Sequence, residues 1–328
     1  MPIVDFLSTR EHMDELARSR GRLGIPSLGA VEEAANELWR SSSTNPAGPR
    51  VDAVIRECGD IVAAASYTPK IFSRSGDQVL VAEIGGTFTA PDAQGKGYFS
   101  SLVSSLIEHA ENNGIQSLYG TPNEQSGALY IKKLGWAEVG HWMRWLRPQL
   151  PIARHMTDVT ANLRARPPRG VRPAFEIGWT PLAVDDLLDG GRVRSDHVVR
   201  SPEWFRWRFP EARYSMVRCL VEGQVVSWCV SGPTVRLGRR GAAIADFAIT
   251  PGAEWTAARL FERAGHSVPR SRFLFGMTLG ESHSAVWRTI GAIGRPSPMP
   301  LIAHAGADPL GDRYFHSMVF DAGDSDTV

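Results

Sequence analysis

The sequence lacks long hydrophobic runs, an excess of one charge and a cysteine framework. No apolar stretch approaches the roughly 20 residues that a membrane-spanning helix needs, and the first residues carry no basic and apolar leader. Lys and Arg number 36 against 35 Asp and Glu, a formal net charge of +1. No bulk basic field therefore favours nucleic acid or an anionic membrane as a partner. We expect a cytoplasmic protein that binds neither.

Cysteine is scarce and scattered. Cys58, Cys219 and Cys229 stand at none of the spacings that hold zinc. This argues against a disulfide framework and fits a reducing compartment. The sequence therefore predicts no metal site.

The chain is long enough for two domains, and its composition is that of a folded protein. Of its 328 residues, 43% are hydrophobic and 22% are charged, as in ordinary globular chains. In the first half, β-branched runs alternate with amphipathic segments, which predicts an α/β fold with a mixed sheet of the α+β kind. Strands are predicted at 3–7, 51–58, 61–67, 78–90, 115–121 and 136–146, and helices at 8–18, 31–40, 98–112 and 126–134.

The second half repeats the first in weakened form. Five features recur in the same order with shrinking separation, as two copies with different loop lengths require. We expect a first domain over 1–148, a linker over 149–173, a degenerate copy over 174–320 and a disordered tail over 321–328. The recurring features are Trp39-Arg40 with Trp207-Arg208, Gly59 with Gly223, Pro91 with Pro251, Tyr119-Gly120 with Phe275-Gly276, and Gly135 with Gly291.

A glycine turn before an amphipathic helix organises the first half. Residues 94–97, here called the glycine loop, read Gln-Gly-Lys-Gly, and apolar residues then recur at helical spacing from Phe99. Such a turn can point several backbone N–H groups at one anion, so it predicts a phosphate cradle. The dinucleotide and P-loop alternatives fit poorly, because no Gly-x-Gly-x-x-Gly follows the first strand and no Gly-Lys-Ser/Thr is present.

Two segments of the first half resemble one family. Residues 91–99 resemble the acetyl-CoA pyrophosphate loop of the GNAT superfamily of acyl-CoA-dependent N-acyltransferases, whose pattern is Gln/Arg-x-x-Gly-x-Gly/Ala. Gln94 and Gly97 match it, while Phe99 stands where Gly or Ala is usual. Residues 123–136 resemble the family's Asn, seven residues, Leu-Tyr-x-Lys-x-Gly-aromatic segment. The resemblance covers 1–146 well and the second half only as a degenerate copy, which implies two tandem GNAT-like domains.

The resemblance implies a site. Backbone amides of the glycine loop and helix start would bind the CoA pyrophosphate, with Lys96 adding charge, and the preceding strand end would pair with pantetheine. Tyr130 would act as the general acid for the leaving thiolate, and Glu83 would be the candidate base. The implied cofactor-binding residues are Phe88, Thr89, Gln94, Gly95, Lys96, Gly97, Tyr98, Phe99, Ser100 and Asn123.

The second copy lacks the polar groups of the first. Residues 254–257 read Glu-Trp-Thr-Ala where the glycine loop would fall, and a bulky indole there would block backbone approach to a pyrophosphate. Leu279 corresponds to Asn123, and Val286 corresponds to Tyr130. We therefore expect one CoA site in the chain.

The implied function is transfer of an acetyl group from acetyl-CoA to a primary amine of a small molecule, by an enzyme that could form a homodimer. The alternatives are a CoA-binding sensor or scaffold without catalysis, and an aminoacyl-tRNA-dependent transferase, which the near-neutral charge disfavours. Individual residues have structural alternatives too: Tyr130 as a packed core residue, Glu83 as a solvated strand carboxylate and Asn123 as a helix cap. Trp204 and Trp207 are expected in the core or at a domain contact rather than in an aromatic cage.

Overall fold

The structure, a computed structural model, describes residues 2–7, 15–16, 18–20, 44–74, 76–149, 167–178, 197–236, 238–304 and 320–321. The predicted helix over 31–40 and the Trp39-Arg40 pair lie outside these residues. So do most of the predicted helix over 8–18, most of the linker and nearly all of the tail. No helix within the described ranges is long and apolar enough to cross a membrane.

The chain divides into two compact units. The first unit contains Met1–Phe72, Gln78–Val139 and Met299–His316, and the second contains Ser73–Asp77, Gly140–Pro298 and Ser317–Val328. The predicted boundaries at residues 148 and 174 follow chain order. Each unit also includes a short segment from the other half of the sequence, and the predicted boundaries stay a prediction.

The first unit contains a mixed sheet and two helices whose full bounds are described, and residues 15–16 and 18–20 are helical as well. β1 (Asp5–Leu7), β2 (Val51–Glu57), β3 (Asp60–Arg74), β4 (Asp77–Thr89) and β5 (Ser117–Gly120) lie side by side in that order. β4 and β5 run parallel, and the end of a late strand pairs antiparallel with β5 through Ile302–His304. A short 3-10 turn (Pro91–Ala93) precedes α1 (Tyr98–Asn112), and α2 (Glu124–Leu134) follows β5.

Helix α1 forms where its apolar spacing predicts, between two left-handed glycines. Gly97 at φ 82° precedes it and Gly114 at φ 77° follows it, positions that favour glycine because an L side chain would strain the backbone. Its buried face packs on Ala82 and Ile84 of β4, so the prediction for this helix is confirmed. The buried residues of α1 are Leu102, Val103, Leu106 and Ala110.

The second unit repeats the order of elements. β6 (Ala137–Pro148), β12 (Phe273–Leu279), β11 (Arg239–Ile249), β10 (Gln224–Arg236), β9 (Ser215–Val221) and β7 (Pro173–Ile177) lie side by side, with β11 and β12 parallel. The helices are α3 (Pro202–Arg208), α4 (Ala257–Ser267) and α5 (Glu281–Thr289), and a 3-10 turn (Glu254–Thr256) precedes α4. The remaining strands are β8 (His197–Val198), β13 (Ile293–His304) and β14 (Phe320–Asp321).

The tandem arrangement is confirmed by this repetition. In both units two parallel strands are joined by one helix and followed by another, in the order β4-α1-β5-α2 in the first and β11-α4-β12-α5 in the second. The aromatic side chains of α3 are buried, which confirms the core placement of Trp204 and Trp207.

Candidate active site

A cavity opens where β4 and β5 part. The two strands pair from Val81–Ile84 against Ser117–Gly120, and β4 then continues alone to Thr89. The cavity has a volume of about 170 Å³ and lies entirely within the first unit. Its lining residues are Ile84, Gly85, Gly86, Thr87, Gly120, Thr121, Pro122, Asn123, Ser126, Tyr130 and Ile302.

Two glycines shape this opening. A Cβ added to Gly120 would stand 2.8 Å from Cγ2 of Ile84, so the last paired position of β5 requires glycine. Gly86 has a φ of 62°, and Ile84 and Phe88 on either side of it belong to clusters on opposite faces of the sheet. In a regular strand, residues four apart face the same side. The strand therefore reverses its faces between Ile84 and Phe88, as strands do at a bulge, and Thr87 faces Tyr130 of α2.

Tyr130 of α2 faces the cavity with its hydroxyl. Its side chain is 3% exposed, and its hydroxyl oxygen lies 3.4 Å from Oγ1 of Thr87. Burial raises the pKa of Tyr130 to about 12, opposed by the hydrogen bond with Thr87. The phenol therefore keeps its proton at neutral pH and can donate it.

Phe99 explains the one irregular position of the glycine-loop pattern. Its ring packs edge-on against the ring of Tyr130 with centroids 5.0 Å apart, and Trp136 packs on Tyr130 at 4.8 Å. The large side chain at the start of α1 thus fixes the tyrosine instead of blocking the loop. The local pattern gave no sign of this contact.

The glycine loop is open to solvent on its outer side. Gly95 and Gly97 have φ values of 80° and 82°, and a Cβ added to either would meet nothing within 4 Å. They are glycines because of their backbone conformation. Since the residue before α1 has no side chain, the first N–H groups of the helix remain available to an anion at the positive end of the helix dipole.

Lys96 is held at this loop by a residue that the sequence did not suggest. Its Nζ lies 2.8 and 3.0 Å from the two carboxylate oxygens of Glu57, and the Tyr98 hydroxyl donates to the same carboxylate. Hydrogen bonds from Lys96 and then Tyr98 lower the pKa of Glu57, and its carboxylate raises the pKa of Lys96. Glu57 stands 39 residues earlier in the sequence, at the end of β2.

Asn123 both caps α2 and lines the cavity. Its Oδ1 accepts hydrogen bonds from the backbone N–H and from the hydroxyl of Ser126, each at 2.9 Å. The capping role is therefore confirmed, and it leaves the residue facing the cavity.

Glu83 lies on the other face of the sheet. Its neighbours in β4, Ala82 and Ile84, belong to the core beneath α1, so the carboxylate points away from that core. There its Oε2 lies 2.5 Å from Nζ of Lys70, and both side chains are buried. Glu83 is not among the residues that line the cavity. Its role as a base stays a prediction.

The sequence predicts that the end of β4 contacts pantetheine, and at Phe88 only the backbone is placed to make this contact. The Phe88 side chain is buried in the cluster opposite the cavity, with Leu7 and Val54 among its neighbours. The Thr89 carbonyl accepts a hydrogen bond from the Gln94 side chain at 3.4 Å.

No group of three or more His, Cys, Asp or Glu side chains suited to a metal ion occurs in the described part of the chain.

Comparison with known families identifies the domain that carries this cavity. Residues 23–136 match the model of the Acetyltransferase (GNAT) family. The chain carries a GNAT domain. The match includes the glycine loop and ends at Trp136, so it contains both segments on which the sequence resemblance rested. No curated protein sequence matches the chain.

Solved structures of similar fold, a tandem GNAT protein among them, cover more than nine-tenths of the chain. A probable N-acyltransferase of unknown function from Enterococcus faecalis V583 matches with a TM-score of 0.67 at 13% identity, over 93% of this chain and 73% of that one. A tandem GNAT protein from the clavulanic acid biosynthesis pathway matches with 0.64 at 15%, over 93% and 99%. The N-myristoyltransferase of Saccharomyces cerevisiae with bound myristoyl-CoA matches with 0.61 at 13%, over 98% and 86%. At these identities the similarity establishes the tandem fold.

Proposed function

We propose that this protein is an acyl-CoA-dependent N-acyltransferase that moves an acetyl group from acetyl-CoA to a primary amine of a small molecule. The observation that carries the proposal is the buried Tyr130, which lines a cavity where two strands of a GNAT domain part. A buried proton donor at an open cleft is what departure of a thiolate requires.

The donor would bind across the end of β4 and the start of α1. The pyrophosphate would accept hydrogen bonds from backbone N–H groups of residues 94–100 and gain from the positive end of the helix dipole. The pantetheine arm would pair with the backbone of Phe88 and Thr89, beside the unpaired part of β4. The thioester would then reach the cavity next to Tyr130.

In the reaction, the amine nitrogen attacks the thioester carbonyl carbon, and the carbon–sulfur bond breaks. The CoA sulfur leaves as a thiolate and takes the proton of the Tyr130 hydroxyl. A thiol has a solution pKa of about 8.5. Burial raises the pKa of a thiol as it raises that of a phenol, so the pKa of the CoA thiol moves closer to that of Tyr130. The amine must lose a proton, which balances the proton that Tyr130 gives up. Glu83 does not line the cavity and is paired with Lys70, so it would accept this proton only through water.

A second candidate is a CoA-binding sensor or scaffold. The ion pair between Glu83 and Lys70 favours it, because a carboxylate held in a buried pair is poorly placed to accept the proton of an amine. Under this alternative the cavity binds the thioester and no amine is acylated. The cytoplasmic location and a homodimer remain predictions from the sequence.

The variant Tyr130→Phe tests the proposal. Thiol release from acetyl-CoA with a panel of primary amines should fall by about 100-fold or more in turnover, while calorimetric affinity for acetyl-CoA stays unchanged. Tyr67→Phe is a matched control, because Tyr67 is also buried with its pKa raised to about 12, but its hydroxyl pairs with His109 outside the cavity.

The outcomes separate the candidates. Normal turnover in Tyr130→Phe would remove Tyr130 from the mechanism. Binding of acetyl-CoA with no thiol release for any amine would favour the sensor. No binding of any CoA ester would reject both.

A further inference from the structure

Several positive charges stand on the sheet of the second unit, on the face away from α4 and α5. Ala242 and Leu274 pair across β11 and β12 and belong to the core beneath those helices. The next pair, Ala243 and Phe275, therefore points to the opposite face. The register of β10 with β11 places Arg236 on this same face.

Arg236 reaches across β11 to lie on an aromatic ring of β12. Its guanidinium carbon is 4.5 Å from the centroid of Phe275. Between them β11 presents only Gly241 and Ala243, which leave room for the long side chain. Gly241 cannot carry a side chain, because an added Cβ would stand 2.3 Å from the ring of Phe273. A guanidinium stacked in this way is an oriented fork of N–H donors.

Arg144 of β6 brings a second guanidinium to the same place. Trp145 belongs to the core beneath the helices, so Arg144 and Leu146 point to the face of Phe275. Leu146 pairs directly with Phe275 and is 40% exposed. The strand register thus places both guanidinium groups on one face of the sheet. In agreement with this, partial burial, and then the charge of Arg144, lower the pKa of Arg236.

No acid in the described part of the chain offsets these two cations. Arg144 donates a hydrogen bond from Nη2 to the Pro296 carbonyl at 3.4 Å, and the contacts of Arg236 are with Phe275 and Arg144. Both arginines are exposed, so a ligand can reach them. A third arginine, Arg239, pairs directly with Arg236 across β10 and β11. Like charges at such spacing are unfavourable until an anion joins them.

We propose that Arg144 and Arg236 together bind the phosphate group of a small molecule, with Phe275 as the floor of the site and Leu146 at its side. A phosphate monoester carries about 1.5 to 2 negative charges at neutral pH, which matches two cations better than a carboxylate does. Two guanidinium forks also supply the bidentate donors that phosphate oxygens accept. The site belongs to the second unit and does not depend on acyl transfer.

Binding of inorganic phosphate to the full-length chain tests the site, measured by calorimetry and thermal unfolding against chloride at matched ionic strength. Arg236→Gln and Arg144→Gln should each weaken the phosphate response by about tenfold, and Arg236→Lys should recover only part of it. Arg263→Gln is the matched control, since Arg263 also lies over a ring, 4.7 Å from Phe175. Lys96→Gln, at the glycine loop of the first unit, should leave the part of the phosphate response that depends on Arg144 and Arg236 unchanged.

Three outcomes would overturn the inference. These are an undiminished phosphate response in both arginine variants, an equal loss in Arg263→Gln, and a response to acetate that equals the response to phosphate. Circular dichroism spectra matching the parent show that a lost response is not a folding defect. Loss in both arginine variants with the controls unchanged would establish the site.

Discussion

Beyond its parallel pairing, β4 of the first unit continues as Gly-Gly-Thr at 85–87, and β11 of the second unit continues as Ala-Asp-Phe at 245–247. Both strands reverse their faces at this point. The pairing of β10 with β11 slips by one residue just after Ile244, as the chain reverses its faces near Gly86 in β4. The bulge is thus a property of the fold, and the side chains placed on it decide what the opening can do.

The side chains that fill the two openings differ in chemistry. In the first unit the Thr87 hydroxyl meets the Tyr130 hydroxyl at a cavity. In the second unit the Phe247 ring packs against Phe261, with centroids 5.1 Å apart. The Trp287 indole lies so close to β12 that a Cβ added to Gly276 would meet it at 2.1 Å. The space that holds a cavity in one unit is core in the other.

The N-terminal ends of the corresponding helices also differ, because only one of them leaves N–H groups available to an anion. Helix α1 begins after left-handed Gly97, which leaves its first N–H groups open. Helix α4 continues from a 3-10 turn in which the N–H and the hydroxyl of Thr256 both bond to the Ala253 carbonyl. A second copy can therefore keep the fold and lose the anion cradle, because local hydrogen bonds replace those that a ligand would make.

The largest effect is expected at the bulge of the second unit, where Asp246 pairs with Arg200. Arg200 Nε lies 2.6 Å from the Asp246 carboxylate, and both side chains are fully buried. Arg200→Met should lower the free energy of unfolding by about 3–5 kcal/mol, because it removes the guanidinium that offsets the charge of a buried carboxylate. Urea unfolding measures this. Arg206→Gln, which breaks an exposed pair with Glu203, should change almost nothing; similar losses in both variants would contradict the comparison.

A smaller but functional effect is expected when the first bulge is made like the second. Thr87→Phe places a ring where Phe247 stands in the other unit, next to Tyr130. We expect acyl transfer to fall by about 100-fold, because the ring occupies space that the thioester needs. Thr87→Ser keeps the hydroxyl and should retain most activity in the thiol-release assay. Wild-type turnover in a folded Thr87→Phe protein would show that the cavity is not the reaction site.

Much of the fold could be predicted because short-range sequence patterns determine where its helices and strands form. The helix predicted at 98–112 is α1 at Tyr98–Asn112, and the strand predicted at 78–90 is β4 at Asp77–Thr89. Periodicity and glycine turns act within one or two turns of chain, so a sequence shows them directly. The same holds for the Asn123 cap, whose partner is three residues away.

The contacts that complete the site could not be predicted, because register decides them. Glu57 meets Lys96, 39 residues later, and Lys70 meets Glu83, 13 residues later, only after the strands that carry or precede them are aligned. A shift of one residue moves every side chain to the other face, and the reversal of faces near Gly86 makes that shift within β4. The exchange of strand segments between the units has the same origin, since β13 and β6 pair with strands distant in sequence.

The contrast between Tyr130 and its counterpart Val286 predicts a pH effect on stability. Burial raises the pKa of Tyr130 to about 12 in the folded chain, against about 10 for an unfolded tyrosine. Between these values the unfolded state loses a proton that the folded state keeps, so stability falls as pH rises. The slope for one tyrosine is about 1.4 kcal/mol per pH unit. Tyr130→Phe should lose less stability between pH 10 and 12 than the parent in urea unfolding; parallel curves would contradict the raised pKa.

The smallest effect concerns the charge of Lys96 at the glycine loop, a loop that the second unit lacks. Glu57 holds Lys96 in an exposed ion pair at the place where the proposed pyrophosphate would bind. Because an anion must compete with this carboxylate, Glu57→Gln should tighten acetyl-CoA binding by about threefold at low salt, and by less as salt rises. Glu108→Gln, an exposed change of the same charge on α1, should have no such effect. Weaker binding in Glu57→Gln would contradict this expectation. It would mean that Glu57 orients Lys96 toward the phosphates and so favours binding.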